Sequence, residues 1–117
     1  MERGRILILG QTKESTYEIR HLLDNRAFEL EIALSRDVGK QILSQRRMNL
    51  LILHTEAMSA ETEEFFEFLE DRGIEIPVFL FGDEAQRIGE NIPACGTVTC
   101  FEKPYAVDQV MTSIQAL

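Results

Sequence analysis

Residues 49–54 are Asn-Leu-Leu-Ile-Leu-His, four consecutive apolar side chains closed by a histidine. A strand that is apolar on both faces is typical of the centre of a parallel sheet, where helices cover both sides. The run is also too short for an ordinary helix. It therefore predicts a central parallel strand that ends at His54, and ligands bind beyond the carboxyl ends of such strands.

Similar runs alternate with helical patterns along the rest of the chain. Further strands are predicted over residues 5–9, 30–34, 76–81 and 97–101. Helices are predicted over residues 13–26, 36–47, 60–72, 84–91 and 106–117. Such alternation indicates a parallel sheet with helices on both faces. We therefore predict a flavodoxin-like (βα)5 doubly wound α/β fold with strand order 2-1-3-4-5, spanning residues 1–117 as one domain.

Single residues mark several of the helix ends. Ser35 is a predicted N-cap, and either Thr12 or Ser15 serves the first helix in the same way. Gly73 is a predicted C-terminal stop, since glycine readily adopts a left-handed conformation. Gly39 lies inside a helix despite its low propensity, which indicates close packing on a strand.

Charge and composition narrow the possible partners. The chain has 117 residues and a net charge of −8, which disfavours binding to nucleic acids and anionic membranes. Its apolar runs are too short for a membrane span or a signal peptide, so a cytoplasmic protein is expected. Cys95 and Cys100 are then expected to be ordinary thiols, because two cysteines and two histidines make a poor metal-ligand set.

Catalytic signatures are lacking at the predicted strand ends. Gly10-Gln11-Thr12-Lys13 has one glycine and does not match the spacing of a phosphate-binding loop. The chain also has no nucleophile-elbow motif of the G-x-S-x-G type. We therefore expect neither an enzyme nor a bound cofactor.

The segment around the fifth strand carries a family resemblance. Residues 96–105 are Gly-Thr-Val-Thr-Cys-Phe-Glu-Lys-Pro-Tyr, in which Lys-Pro-aromatic follows a strand. Together with the five-strand layout, this resembles the receiver domain of two-component response regulators over essentially the whole chain. The resemblance implies a phosphoacceptor aspartate after strand 3 and two acidic residues after strand 1 that hold Mg²⁺ with it. It also implies a Thr or Ser after strand 4 and a Lys after strand 5.

This chain departs from that pattern at most of the pocket positions. The acidic pair is replaced by Gly10 and Gln11, the phosphoacceptor by His54, the Thr or Ser by Gly82, and the strand-5 switch aromatic by Cys100; Lys103, with Pro104 and Tyr105, matches. An imidazole and an amide do not replace the carboxylates that Mg²⁺ prefers. The resemblance is therefore to a degenerate receiver, or pseudo-receiver, that is not phosphorylated on aspartate.

Two pocket side chains have alternative interpretations. For His54 there are three interpretations: a neutral, hydrogen-bonded side chain that fills the pocket, a pH sensor, or a substitute phosphoacceptor. A positively charged Lys103 nearby would disfavour the protonated imidazole. Lys103 either pairs with a carboxylate, Glu56 or Asp83, or binds an anionic ligand.

Two functions from different classes follow. The first is a regulatory module that acts through protein partners, as a homodimer or by controlling a covalently linked output domain, with this chain as the N-terminal part of a longer regulator. The resemblance places its interaction face around Cys100, Phe101, Tyr105 and Val107. The alternative is a ligand-sensing domain that holds a small anion or metabolite with Gln11, His54 and Lys103.

Overall fold

The computed structural model describes residues 4–10, 12–23, 28–54, 62–83, 85, 97–102 and 105–115. Within these ranges the strands are β1 (Gly4–Leu9), β2 (Phe28–Ala33), β3 (Leu50–His54), β4 (Val78–Phe81) and β5 (Val98–Phe101). The helices are α1 (Lys13–Leu22), α2 (Arg36–Gln45), α3 (Thr62–Asp71) and α4 (Val107–Gln115). The helix predicted over 84–91 lies outside the described residues apart from Ala85, so the final helix is labelled α4.

The strands form one parallel sheet in the order β2-β1-β3-β4-β5, which confirms the predicted fold. β3 is the central strand, and all five of its residues are buried. Asn49 pins its start, because its backbone N–H donates to the Arg5 carbonyl at 2.8 Å and its side-chain oxygen accepts from the Arg5 N–H at 2.9 Å. These bonds help to set the register between β1 and β3.

Two apolar layers cover the sheet, one on each face. The first layer combines β-strand residues such as Leu7 and Leu53 with side chains of α2 and α3. The second combines Ile8 and Ile52 with side chains of α1 and α4. Alternate residues of each strand enter different layers, as the two-residue period of a strand requires.

Most of the predicted end signals are found in the structure. The Ser35 hydroxyl accepts a hydrogen bond from the Val38 N–H at 3.2 Å, and Gly73 has a φ of 66° just beyond α3. Thr12 directly precedes α1, whereas Ser15 lies inside it, so Ser15 is not the cap. β2 was predicted to reach Leu34 but ends at Ala33. The side chain of Leu34 is exposed to solvent between β2 and α2.

Two of the three phenylalanines of α3 lie in the core, and the third lies at the surface between α2 and α3. Phe65 and Phe66 are 1% exposed, whereas Phe68 is partly buried. The Lys40 ammonium of α2 and the Arg72 guanidinium lie 5.5 and 5.3 Å from the Phe68 ring centroid. Phe68 is therefore covered by cations rather than exposed as an anchor for a partner.

Gly39 packs against the sheet as predicted, but with room to spare. A Cβ placed on it would lie 3.6 Å from Leu9 Cδ1 and 3.7 Å from Phe65 Cε2, which are ordinary van der Waals distances. Alanine is favoured over glycine in a helix by about 1 kcal/mol. We expect Gly39→Ala to raise the unfolding free energy by up to about 1 kcal/mol, measured by urea denaturation. A loss of stability would show that the contact with Leu9 is already too tight.

Candidate functional site

Three of the five predicted pocket residues come together at the carboxyl edge of the sheet. Gly10 follows β1, His54 ends β3 and Gly82 follows β4. Leu9 pairs with Leu53 and His54 pairs with Phe81, so these three residues occupy neighbouring positions on adjacent strands. Gly10, His54 and Gly82 therefore lie at one edge of the sheet, and their role as a pocket stays a prediction.

Backbone hydrogen bonds hold both glycines in line with the sheet. The Gly10 N–H donates to the Ala33 carbonyl at 3.1 Å, and the Gly82 N–H donates to the Phe101 carbonyl at 3.1 Å. Both glycines are buried. Gly82 has a φ of 129°, a backbone conformation that favours glycine and strains any residue with a Cβ.

His54 is one of two buried polar side chains among the described residues. It is 5% exposed, and the other, Thr16, donates its hydroxyl to the Lys13 carbonyl at 2.9 Å within α1. His54 occupies the position at which the sheet would present a reactive side chain. By strand alternation it falls on the same face as Leu50 and Ile52, the face covered by α1 and α4.

An aromatic cluster that the sequence analysis did not identify lies beside His54. Phe81, its register partner, is 0% exposed, and its ring centroid lies 4.9 Å from that of Phe101 and 5.1 Å from that of Tyr105. Phe79 lies 5.2 Å from Phe101 on the same face. The i, i+2 spacing of Phe79 and Phe81 was the available signal, because it places both rings on one face of β4.

The residues predicted to form an interaction face lie on different sides of β5. Cys100 is partly buried and packs against the layer of α2 and α3, whereas Phe101 and Tyr105 belong to the layer of α1 and α4. Phe101 is buried at 9% exposure, so it supports the surface from beneath. Val107, at the start of α4, is 45% exposed and available for contact.

The other residues predicted for the pocket, Gln11 and Lys103, lie outside the described residues, as does Glu56, a predicted partner of Lys103. Asp83 follows Gly82 and is exposed. Within the described ranges, no three His, Cys, Asp or Glu side chains lie close enough together to hold a metal ion. None of the helices in this part of the chain combines the length and apolar character needed to cross a membrane.

Solved structures show which fold this arrangement represents. The receiver domain of an HD domain-containing protein from Pseudomonas fluorescens Pf-5 matches with a TM-score of 0.78 and 14% identity, over 98% of this chain and 94% of that one. Full-length FixJ from B. japonicum matches with a TM-score of 0.81 and 14% identity, over 99% of this chain and 58% of FixJ. The chain therefore has the fold of response regulator receiver domains.

A third similar structure is the N-terminal domain of a three-domain response regulator/sensory box/GGDEF protein from Carboxydothermus hydrogenoformans. It has a TM-score of 0.69 and 18% identity, over 96% of this chain and 91% of that one. No protein-family model matches the sequence, and a comparison with curated proteins gives no significant match. At these identities the likeness is one of fold.

The Mg²⁺ ion that a phosphorylated receiver requires does not suit the side chains at this edge. Gly10 and Gly82 have no side chain, and the buried His54 offers an imidazole nitrogen in place of a carboxylate. Mg²⁺ strongly prefers oxygen ligands, with carboxylates supplying the negative charge. The side chains that the structure describes at this edge therefore do not supply the oxygen ligands that Mg²⁺ prefers.

Proposed function

We propose that this chain is a non-catalytic signalling module, a receiver domain that no longer uses aspartyl phosphorylation and acts through contacts with other proteins. One observation carries the proposal: at the carboxyl edge of a sheet with the strand order of receivers, β3 ends in a buried imidazole, His54, and the residues after the two flanking strands, β1 and β4, are glycines. The scaffold is preserved while the groups that would bind Mg²⁺ and accept phosphate are replaced.

Gly82 supports the same conclusion from the strand-4 side. Receivers place a Thr or Ser hydroxyl at this position, where it can contact a phosphoryl group. Here the backbone has a φ of 129°, which disfavours any β-branched residue. Gly82 therefore lacks the hydroxyl, and its backbone conformation disfavours a threonine at this position.

The surface through which the module acts is proposed to include the start of α4. Val107 is 45% exposed, and the half-buried Tyr105 precedes it. An exposed apolar residue beside an amphipathic aromatic is suited to a protein contact. The partners are a second copy of the chain or a covalently linked output domain, in the cytoplasm, with no direct contact with nucleic acid.

The first test is a set of two-dimensional amide NMR spectra, recorded with and without Mg²⁺ and beryllofluoride, which mimics an acyl phosphate. We expect no saturable shift at His54, Gly82 or the neighbouring strand ends, because these positions lack the carboxylates that bind the metal. Saturable shifts that spread from His54 towards Tyr105 would contradict the proposal.

Non-specific binding of Mg²⁺ provides the internal control. The chain carries a net charge of −8, and Glu64, Glu67 and Glu70 lie exposed on α3. Weak ion binding there would give shifts that rise linearly with Mg²⁺ and do not need beryllofluoride. Specific binding at the strand ends would instead saturate and require both components.

A thermal-shift panel of anions and nucleotides separates this proposal from a ligand-sensing function. A ligand that binds the native state raises the melting temperature in a concentration-dependent way. We expect no such rise for phosphate, sulfate or nucleotides. A reproducible increase that is lost in His54→Asn would favour the ligand-sensing function instead.

A further inference from the structure

We propose that a cavity at the amino edge of the sheet binds a small molecule in which a short apolar chain ends in a carboxylate. The cavity has a volume of about 450 Å³ and lies between the α2–β3 loop, residues 46–49, and the α3–β4 loop, residues 72–77. These loops precede β3 and β4, so this amino-edge cavity lies at the opposite edge of the sheet from His54. The inference is therefore independent of the proposed function.

Backbone hydrogen bonds hold both walls of the amino-edge cavity in place. The Gly73 N–H donates to the Glu70 carbonyl at 3.0 Å, and the Ile74 N–H donates to the Leu69 carbonyl at 2.8 Å. With the φ of 66° at Gly73, these bonds form the Schellman motif that ends many helices. The other wall is anchored at Asn49 by its two hydrogen bonds to β1. The cavity is therefore preformed, as small-molecule sites usually are.

The floor of the amino-edge cavity is apolar. Leu43, Met48 and Ile76 line it and are at most 7% exposed, and Ile74 is partly buried beside them. All four side chains belong to the layer of α2 and α3 or pack against it. An apolar chain that lies on this floor leaves water, and it is stabilised in proportion to the apolar area that becomes covered.

Two arginines make the mouth of the cavity cationic. Arg46 and Arg47 line it and are exposed, and Glu75 is the acidic residue among the described lining side chains. Arg46 also pairs with Glu31 of β2, but a guanidinium has five N–H donors and can bind a further acceptor. Within the described ranges Arg47 forms no ion pair. The mouth therefore attracts an anion, in a chain whose net charge is −8.

The combination of mouth and floor selects the kind of anion. A guanidinium forms two parallel hydrogen bonds with a carboxylate. Arg47 is exposed, so this interaction is weakened by solvent, and contact with the apolar floor has to supply part of the affinity. Acetate, phosphate and sulfate have no apolar chain. We therefore expect them to bind much more weakly than a longer carboxylate.

The surroundings of the cavity favour a small molecule over a protein partner. Its volume falls in the range of about 300–1,000 Å³ that is typical of small-molecule sites. Protein interfaces instead have an apolar centre with large exposed side chains. The large apolar side chains exposed in the described part of the chain are elsewhere, namely Tyr17, Leu34, Val38 and Val107.

Titration of the whole chain with hexanoate, followed by two-dimensional amide NMR, tests the site. We expect saturable shifts at Arg47, Met48, Gly73 and Ile74, and none at His54. Acetate has the carboxylate without the chain and should bind at least about tenfold more weakly. Hexylammonium has the chain with the opposite charge and should give no saturable shift at the two loops, although the negative net charge of the protein attracts cations in general.

Substitutions at Arg47 test the role of its charge. Arg47→Gln keeps a polar side chain without the charge and should raise the dissociation constant of hexanoate by about threefold to fivefold. Arg47→Lys keeps the charge and should retain most of the affinity. Arg20→Gln is the matched control, because Arg20 is also exposed but lies on α1 and does not line the cavity. It should leave the dissociation constant unchanged.

Any of three results would overturn the proposed site. The first is the absence of saturable hexanoate shifts at the two loops. The second is binding of hexylammonium at the same amides as tightly as hexanoate. The third is an equal dissociation constant for hexanoate in Arg47→Gln and the wild-type chain. None of these results bears on Mg²⁺ and beryllofluoride binding at the other edge of the sheet, so failure of this site is distinguishable from failure of the proposed function.

Discussion

Replacing Phe81 with alanine is expected to lower the free energy of unfolding by about 3–5 kcal/mol, the usual range for a fully buried phenylalanine. Phe81 is 0% exposed and lies at the junction of β3, β4 and β5, where it contacts Phe101 and Tyr105. Alanine would remove both ring contacts and leave a cavity among rigid strands. Such a site collapses little, so the cost should lie in the upper part of the range.

Urea denaturation followed by circular dichroism measures this effect. Phe68→Ala is the control, because Phe68 is only partly buried and its ring contacts are with Lys40, Arg72 and Phe65 at the α2–α3 surface. It should cost much less than Phe81→Ala with an unchanged m-value. Equal losses for the two variants would show that the aromatic cluster does not hold the strand ends together.

Introducing threonine at Gly82 is expected to destabilise the chain by about 1–3 kcal/mol rather than to restore a receiver-like hydroxyl. The backbone there has a φ of 129°, and threonine is β-branched, so its Cβ would strain this conformation. The Gly82 N–H also bonds to the Phe101 carbonyl at 3.1 Å, which limits how far the backbone can relax.

Gly73→Ala is the comparison for this effect. Gly73 has a φ of 66°, near the left-handed minimum, and a Cβ there would meet nothing within 4 Å. Its cost should be about 1 kcal/mol, from the backbone preference alone. If Gly82→Thr unfolds at the same urea concentration as the wild-type chain, the backbone conformation at residue 82 does not disfavour a threonine there.

The difference in predictability is clearest at His54 and Phe81, which are partners in the sheet. His54 could be located from the sequence because a short run of apolar residues marks β3 and parallel strands end at a common edge. The same local reasoning placed Gly10 and Gly82 beside it. Strand alternation and helix caps depend on a few neighbouring residues, so the amino-acid sequence contains the information needed to find them.

The role of Phe81 could not be found in this way. Its contacts with Phe101 and Tyr105 join residues 20 and 24 positions further along the chain, and they depend on the register of β4 with β5. The same register buries Phe101, which the sequence had suggested for the interaction face. A shift of one residue would send these side chains to the other face.

The sequence by itself therefore determined the strand order and the positions of the strand ends, and it shows Gly10, His54 and Gly82 at three of them. These features follow from local hydrophobic patterns and from the identity of single residues. Only the tertiary structure decided that the rings of Phe81, Phe101 and Tyr105 pack together and that Cys100 lies on the opposite face. Those facts depend on how distant strands align, because long-range pairing, not local propensity, decides which side chains meet.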